Sequence, residues 1–218
     1  MRVFRFGDPV APLQDLLRRG GIVAIPTESS YGLGVDPRNP AGVAAVYRVK
    51  RREAGKALPV VIAGREQLAG LGVDANLYIV GRLLALWPAP LTAVLPIERP
   101  LPASAGARTL AVRVPDHAAL RELLASLGHG LTATSANRSG GEPILDPDAA
   151  AELLAGEDAA VVDGGTLPGG LPSTLVAIEE DGLKVLRTGR FPAERLLEEL
   201  GRSAGRGAPR NRPAGEEA

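Results

Sequence analysis

Short apolar runs alternate with segments of helical periodicity along most of this chain, and this alternation limits the fold more than any other feature. The runs resemble buried strands in length and composition, and they lie at 21–25, 58–62, 91–95, 110–114 and 131–134. Two later runs, at 173–178 and 183–186, flank an acidic turn and predict a β-hairpin. Strands that alternate with helices indicate an α/β protein, and the hairpin indicates a mixed sheet.

The helix after the first strand has the clearest signals. Asn39 is suited to the N-cap and Pro40 to the first helical position. Apolar residues from Val43 onward recur at helical spacing, and Lys50 stands at the end of that stripe. Similar patterns predict further helices at 9–19, 65–71, 75–86, 116–127 and 147–155.

The length of the chain favours one domain. Its 218 residues suffice for one sizeable core and are few for two full domains. We therefore expect a single domain over residues 1–200. From Gly201 to Ala218, Gly, Arg, Pro, Ala and Glu dominate without periodicity, which predicts a disordered tail.

Composition excludes several classes of protein and site. No apolar run approaches the ~20 residues of a membrane-spanning helix, and the N-terminus lacks the apolar stretch of a secretory signal, so we expect a cytoplasmic protein. The absence of cysteine excludes disulfides, thiolate nucleophiles and cysteine-ligated zinc. With only His117 and His129, a histidine-rich metal site is excluded as well.

The charges of the chain balance, because Lys plus Arg and Asp plus Glu each total 25. Binding to a nucleic-acid backbone needs clustered basic residues, which this composition does not favour. An anion site on this protein must therefore be local.

Two segments provide groups suited to such a site. Lys50-Arg51-Arg52 supplies fixed positive charge, and Ser135-Ala136-Asn137 supplies hydroxyl and amide groups. Taken alone, such a basic segment is more often a solvent-exposed helix end that complements the helix dipole.

Known phosphate-binding and hydrolase loops are missing from the sequence. There is no Gly-rich loop ending in Lys-Ser or Lys-Thr, and the turn at 32–36 lacks the third glycine of a dinucleotide-binding loop. Ser135 does not stand in a Gly-x-Ser-x-Gly elbow, which argues against serine hydrolysis. A nucleotide would have to be bound by other means.

Two features have both a structural and a functional interpretation. Arg113 lies in an apolar run, where an unpaired charge would cost several kcal/mol, so it must meet a carboxylate of the protein or an anionic ligand. The hydroxyl-rich turn after the first strand, Thr27 to Ser30, could cap a helix or bind a ligand.

Six separated motifs, in this order and spacing, resemble the YrdC-like family, the TsaC-type threonylcarbamoyl-AMP synthases. The resemblance extends from about Gly20 to about Gly189. It implies a single twisted, open, mixed sheet surrounded by helices, with a concave and locally positive cavity. The motifs are Pro26–Gly34, Lys50–Arg52, Trp87–Thr92, Ala111–Pro115, Thr134–Gly140 and Pro172–Leu175.

The resemblance implies a nucleotidyl transfer. In this reaction L-threonine, bicarbonate or CO2, and ATP form threonylcarbamoyl-AMP and pyrophosphate, and the product serves N6-threonylcarbamoyladenosine synthesis in tRNA. Mg²⁺ is expected to be held mainly by the nucleotide. Downstream threonylcarbamoyl-transferase proteins are the implied partners, together with a weak contact with tRNA. No residue is assigned as a general base.

The same resemblance implies two sets of contact residues. The expected ATP contacts are Lys50, Arg52, Lys56, Thr109, Ser135, Asn137, Ile144 and Arg187. The expected threonine contacts are Thr27, Ser29, Tyr31, Val61, Arg113, Ala133 and Ser173. Departures from the usual family residues occur at Ser29 (commonly Thr), Arg51 (commonly Gly), Val61 (His in many relatives) and Ile144 (polar in many relatives).

Two other interpretations remain open at this point. The chain could be a non-catalytic module that binds structured RNA in the same cavity, or a paralogue that has lost threonine activation. A low aromatic content of 3% and the balanced charge argue against the RNA module, because single-stranded bases are bound largely by stacking.

Overall fold

The structure is a computed structural model that describes residues 1–52, 55–179, 182–192, 194–196 and 198. The predicted tail, Gly201–Ala218, lies outside the described residues. Eleven strands form within the described part of the chain: β1 Arg2–Arg5, β2 Ile22–Pro26, β3 Tyr31–Gly34, β4 Val60–Val61, β5 Leu91–Pro96, β6 Thr109–Arg113, β7 Leu131–Thr132, β8 Thr134–Ser135, β9 Ala159–Asp163, β10 Thr174–Glu179 and β11 Gly182–Arg187. The α-helices there are α1 Ala11–Arg18, α2 Pro40–Lys50, α3 Tyr78–Leu86, α4 Ala118–Leu127 and α5 Pro147–Leu153.

The strands form two mixed sheets, with orders β1-β9-β2-β3-β8 and β11-β10-β5-β6-β4-β7. Both contain parallel and antiparallel pairs. The α/β class, the mixed pairing and the β10–β11 hairpin are therefore confirmed. The prediction of one sheet is wrong, because the apolar run at 131–134 divides at Ala133. Its first half, β7, pairs with β4, and its second half, β8, pairs with β3 of the other sheet.

Helix α2 forms for the local reasons that the sequence indicates. The Asn39 side-chain carbonyl accepts hydrogen bonds from the N–H groups of Ala41 and Gly42, and its amide donates to the main chain at the end of α1. The helix ends at Arg51, whose left-handed backbone (φ 49°) is a conformation that favours glycine. A glycine at this position, which the resemblance to the YrdC-like family implies, would adopt this conformation without strain.

Other predicted helices differ in detail. The segment 65–71 forms two 3₁₀ turns, Arg65–Gln67 and Ala69–Leu71, and Gly72 ends the second at a positive φ of 73°. Helix α3 begins at Tyr78, later than the predicted 75. Helix α4 begins at Ala118, later than the predicted 116, and His117 is its N-cap, since its Nδ1 accepts from the N–H of Leu120. Helix α5 begins at Pro147 as predicted, and Asp146 is its N-cap.

The core consists of two apolar clusters, one of which contains β2 residues Ile22 and Ala24 while the other contains Val23 and Ile25. Every residue of β2 is buried, since β2 pairs with β9 and β3 and packs on both faces. No helix within the described residues is both long and apolar enough to cross a membrane.

Candidate active site

A cavity of about 990 Å³ is lined by residues from both sheets. Its walls include Tyr31 of β3, Val61 of β4 and Arg113 of β6. Six basic side chains and one carboxylate, that of Glu142, are among the described residues that line it, and this imbalance favours a polyanionic ligand. The basic residues are Lys50, Arg51, Arg52, Lys56, Arg113 and Arg187.

The structure brings most of the predicted contact residues together in this cavity. Thirteen of the fifteen line it, so motifs far apart in the chain converge on one place. They are Thr27, Ser29, Tyr31, Lys50, Arg52, Lys56, Val61, Arg113, Ala133, Ser135, Asn137, Ser173 and Arg187.

Thr109 and Ile144 are not among the described residues that line the cavity. Thr109 is exposed at the start of β6, opposite Pro96, about 13 Å of extended strand away from Arg113. Ile144 packs against the apolar core, and its main chain bonds to Tyr31 and Ala136. The geometry therefore does not support an ATP contact by either residue.

Lys50 is a buried cation whose three N–H donors are all used by the protein. Its Nζ donates to the main-chain oxygens of Ser135 (2.6 Å) and Asn137 (3.2 Å) and to Asn137 Oδ1 (2.6 Å). Only 3% of the residue is exposed, and no ion pair to Lys50 occurs among the described residues. Burial, with a smaller contribution from the Arg52 charge, lowers the pKa of Lys50 to about 8.

The Ser135–Asn137 segment is ordered by the same contacts. Asn137 Oδ1 also accepts from the Ser135 hydroxyl (2.9 Å), and its amide nitrogen donates to the carbonyl of Gly141 (2.5 Å). The main-chain carbonyl of Lys50 accepts from the N–H of Ser139. Lys50 therefore binds this loop through both its side chain and its backbone.

Arg52 and Lys56 also line the cavity, and their charges face no partner among the described residues. Neither side chain forms a hydrogen bond or an ion pair with any of the described residues. Arg52 is partly buried and Lys56 is exposed. Since Lys50 is saturated, Arg52 and Lys56 are the cations best placed to contact an anion directly.

In the turn after β2, the hydroxyl groups of Thr27 and Ser29 have different roles. Thr27 Oγ1 donates to the carbonyl of Ser30 (2.7 Å) and accepts from the N–H groups of Ser29 and Ser30. Thr27 is thus the residue that stabilises the turn. Ser29 lines the cavity, and no hydrogen bond of its Oγ occurs among the described residues. Strand β3 rather than a helix follows, so the helix-cap interpretation of the turn is wrong.

Tyr31 lines the cavity, but its hydroxyl is bonded within the protein. Its Oη donates to the carbonyl of Gly165 and accepts from the N–H of Gly164, both at 3.0 Å. Burial raises the pKa of this phenol. The hydroxyl therefore fixes the loop after β9.

Arg113 meets a carboxylate, as its place in an apolar strand requires. Its Nη1 donates to both carboxylate oxygens of Glu28, at 3.0 and 3.2 Å, and both side chains are largely buried. No hydrogen bond of Nε or Nη2 occurs among the described residues. Arg113 also lines the cavity, so the ion pair and a role in ligand binding are compatible.

A second guanidinium lies close to Arg113. Arg187 Nη2 donates to the carbonyl of Ser173 (3.0 Å), whose hydroxyl is bonded to that of Thr92 (2.7 Å). Burial, and to a lesser degree the charge of Arg113, lowers the pKa of Arg187. The cavity thus has two groups of cations. In one, the charge of Arg52 contributes to the lowered pKa of Lys50, and in the other, the charge of Arg113 contributes to the lowered pKa of Arg187.

Sequence reasoning missed several polar residues here, among them Thr92 and Ser139, which line the cavity, and Glu28, which pairs with Arg113. These three stand inside motifs that were recognised, so the motif positions were the available signal. The described residues contain no group of three His, Cys, Asp or Glu side chains that could hold a metal ion. A smaller cavity of about 600 Å³, beside Arg65, Asp74 and Glu98, contains no predicted contact residue.

Comparisons with known proteins identify the family of this chain. The Sua5/YciO/YrdC family, described as telomere recombination, matches residues 15–189. The threonylcarbamoyl-AMP synthase of Thiobacillus denitrificans is 41% identical over 179 residues, which cover 80% of this chain and 93% of the relative. That of Bacillus subtilis is 34% identical over 198 residues, which cover 89% of this chain and 57% of the relative.

Among solved structures, Pyrococcus abyssi Sua5 complexed with L-threonine superposes with a TM-score of 0.79 at 30% identity. The match covers 92% of this chain and 60% of that chain. This chain therefore spans about three fifths of the length of the archaeal protein and of the Bacillus relative.

Proposed function

The chain belongs to the Sua5/YciO/YrdC family, and on that premise we propose that it is an L-threonylcarbamoyladenylate synthase. Its substrates would be L-threonine, bicarbonate or CO2, and ATP. Its products would be threonylcarbamoyl-AMP and pyrophosphate. The product would pass to threonylcarbamoyl-transferase proteins that modify tRNA, with at most a weak direct contact between this chain and tRNA.

The observation that carries the proposal is one cavity with two separate groups of cations. Lys50 binds the Ser135–Asn137 loop, Arg52 lies close to Lys50, and Lys56 lines the same cavity, so a triphosphate would be neutralised here. Arg187 donates to the carbonyl of Ser173 and lies close to Arg113, and this pair would face a carboxylate. Arg187, which the resemblance implies as an ATP contact, would thus lie beside the amino acid instead. A related protein, P. abyssi Sua5, has been solved with L-threonine. A cavity for a polyanion and an amino acid together suits this reaction.

The chemistry proposed needs positioning more than covalent participation by the protein. The threonine amine adds to CO2 and loses a proton, which gives a carbamate. A carbamate oxygen then attacks the α-phosphorus of ATP, and the bond from that phosphorus to the bridging oxygen breaks to release pyrophosphate. Arg52 and Lys56 would stabilise the phosphate charge, and Arg113 would orient the threonine carboxylate. No general base is assigned.

Mg²⁺ would enter with ATP. Because the described residues contain no carboxylate cluster suited to a metal, its ligands would be phosphate oxygens and water. No step of the proposal depends on a protein ligand to the ion.

The RNA-binding alternative has little support in the cavity. Tyr31 is the one aromatic residue among the described residues of its wall, and it is fully buried. Stacking of bases on exposed rings is therefore not available there.

Product identification tests the proposed function directly. The purified chain is incubated with L-threonine, bicarbonate, ATP and Mg²⁺, and the mixture is analysed by mass spectrometry. We expect threonylcarbamoyl-AMP, with the mass of its carbamoyl carbon raised when ¹³C-bicarbonate is used. The absence of this compound at enzyme concentrations that give pyrophosphate would contradict the proposal.

Ser29 offers a test of the threonine contact. Ser29→Ala removes a hydroxyl that has no partner among the described residues, so loss of a substrate hydrogen bond worth ~0.5–1.5 kcal/mol should raise the threonine KM about 2- to 12-fold. Ser29→Thr keeps the hydroxyl and should be tolerated. Steady-state kinetics with each substrate varied in turn provide the measurement.

The melting temperature of Ser29→Ala distinguishes a structural role for this hydroxyl from a contact with the substrate. The matched control is Thr27→Ala, which removes the hydroxyl that stabilises the turn and should lower the melting temperature. A lowered melting temperature for Ser29→Ala with an unchanged threonine KM would remove Ser29 from the site.

The pKa of Lys50 predicts how ATP binding depends on pH. The ammonium form attracts the phosphates, and its population in the free protein falls as the pH rises through about 8. If the ammonium form alone is competent, ATP affinity should fall roughly tenfold between pH 7 and pH 9. Arg52 is the charged group that acts on Lys50, and Ser135 and Asn137, which face it from the loop, do not titrate.

Calorimetric titration of ATP at several pH values measures this dependence. Lys50→Met removes the titrating group, so its ATP affinity should be lower at pH 7 and should change little up to pH 9. An equally steep dependence in Lys50→Met and in the unmodified protein would show that another group is responsible.

A further inference from the structure

We propose that Glu28 is a positioning residue for the amino-acid substrate, because it holds the Arg113 guanidinium in the orientation that the substrate carboxylate needs. The inference rests on the proposed function, and it concerns a residue that does not itself line the cavity. Glu28 would act through Arg113 and through the turn to which it belongs.

Glu28 connects three separate segments of the chain through its side chain and its main-chain carbonyl. Its carboxylate accepts from Arg113 Nη1 with both oxygens, and Oε1 also accepts from the N–H of Asp116 (2.7 Å). Its main-chain carbonyl accepts from Arg190 Nη1 (3.1 Å). Glu28 therefore fixes the end of β6 and the segment after β11 to the turn that contains Ser29.

The contact with Glu28 uses one nitrogen of the Arg113 guanidinium and leaves the other two for a ligand. Glu28 engages Nη1, whereas no hydrogen bond of Nε or Nη2 occurs among the described residues. A guanidinium held at one end has its remaining donors in a fixed direction, which reduces the entropy lost when a planar carboxylate binds. The side-chain exposures of 13% for Arg113 and 10% for Glu28 show that little of either group is free to reorient.

Glu28 also adjusts the charge of this part of the cavity. Arg113 and Arg187 are close enough for their charges to interact, and Glu28 neutralises one of the two. The remaining single positive charge matches the single carboxylate of a zwitterionic amino acid. Without Glu28, the pair would favour a doubly charged anion over an amino acid.

The test is Glu28→Gln, which keeps the size of the side chain and removes its charge. We expect the threonine KM to rise roughly tenfold, as for a weakened charge-assisted hydrogen bond, while the ATP KM changes by less than about twofold. A shift of both constants together with a lower melting temperature would indicate a merely structural ion pair and would overturn the inference. If Glu28→Gln does not fold, Glu28→Asp serves in its place, because it keeps the charge but shortens the side chain. The threonine KM is again expected to rise while the ATP KM changes little.

Glu157→Gln is the matched control. Glu157 also forms a carboxylate–guanidinium ion pair, with Arg48; that pair is more exposed, and neither residue lines the cavity. This variant should leave the threonine KM unchanged, and an equal rise in both variants would overturn the inference.

A double-mutant cycle tests whether Glu28 acts through Arg113. In an Arg113→Ala background, adding Glu28→Gln should change the threonine KM by less than about twofold, because the residue that it orients is already gone. An undiminished tenfold rise would overturn the inference. If the unmodified chain does not bind L-threonine, the proposed function fails; if it binds and Glu28→Gln binds equally well, only this inference fails.

Discussion

Omitting L-threonine or bicarbonate is expected to reduce pyrophosphate release from ATP by at least ~100-fold, because the group that attacks the α-phosphate forms from both. Water is the remaining nucleophile without them, and it is not held in position by Arg113. A coupled pyrophosphate assay with each substrate left out in turn provides the measurement.

Residual CO2 is the main confounding factor in this assay. Buffers must therefore be degassed, and carbonic anhydrase with added bicarbonate serves as the positive control. Pyrophosphate release that is equal with and without threonine would contradict the proposed function. Release that depends on threonine alone, in degassed buffer, would indicate a different adenylation in which the threonine carboxylate attacks.

Arg52→Ala and Arg113→Ala should have opposite effects on the two substrates. Each variant loses a charge-assisted contact worth ~1.5–3 kcal/mol, so Arg52→Ala should weaken ATP binding, and Arg113→Ala threonine binding, by roughly 10- to 150-fold. The other substrate should be affected far less in each case, because the two arginines belong to different groups of cations.

Calorimetric titration of both ligands against both variants tests this assignment. Arg48→Ala is a suitable control, since Arg48 pairs with Glu157 and does not line the cavity. Arg113→Ala also leaves Glu28 without its partner, so its melting temperature must be recorded alongside. Equal losses of both ligands in either variant would count against the assignment.

Local features could be predicted from the sequence because they depend on neighbouring residues. The cap at Asn39, Pro40 at the first helical position and the end of α2 at Lys50 all follow from groups within a few positions of one another. The carboxylate partner of Arg113 could be anticipated for a similar reason, since burial of an isolated charge is costly wherever the strand lies.

Features that depend on pairing between distant strands could not be predicted in this way. The run at 131–134 has the pattern of one strand, and nothing local indicates that its halves pair with different sheets. Strands β1 and β3 were missed because four-residue or glycine-containing segments carry a weak apolar pattern, whereas β9 has a clear apolar pattern over Ala159–Val162 that could have been recognised. Their pairing in the folded protein, as in β1 with β9, supplies the stabilisation that the local pattern does not show.

The sequence by itself determined the α/β class, the capped helix α2 and, through six motifs, the family and thirteen of the residues that line the cavity. Only the tertiary structure decided what each polar group does. It assigned the Thr27 hydroxyl to the turn, used all three donors of Lys50 on the Ser135–Asn137 loop, and paired Arg113 with Glu28, 85 positions away. Motif spacing specifies which side chains can meet, whereas hydrogen-bond partners depend on distances that form only when the two sheets and their loops pack together.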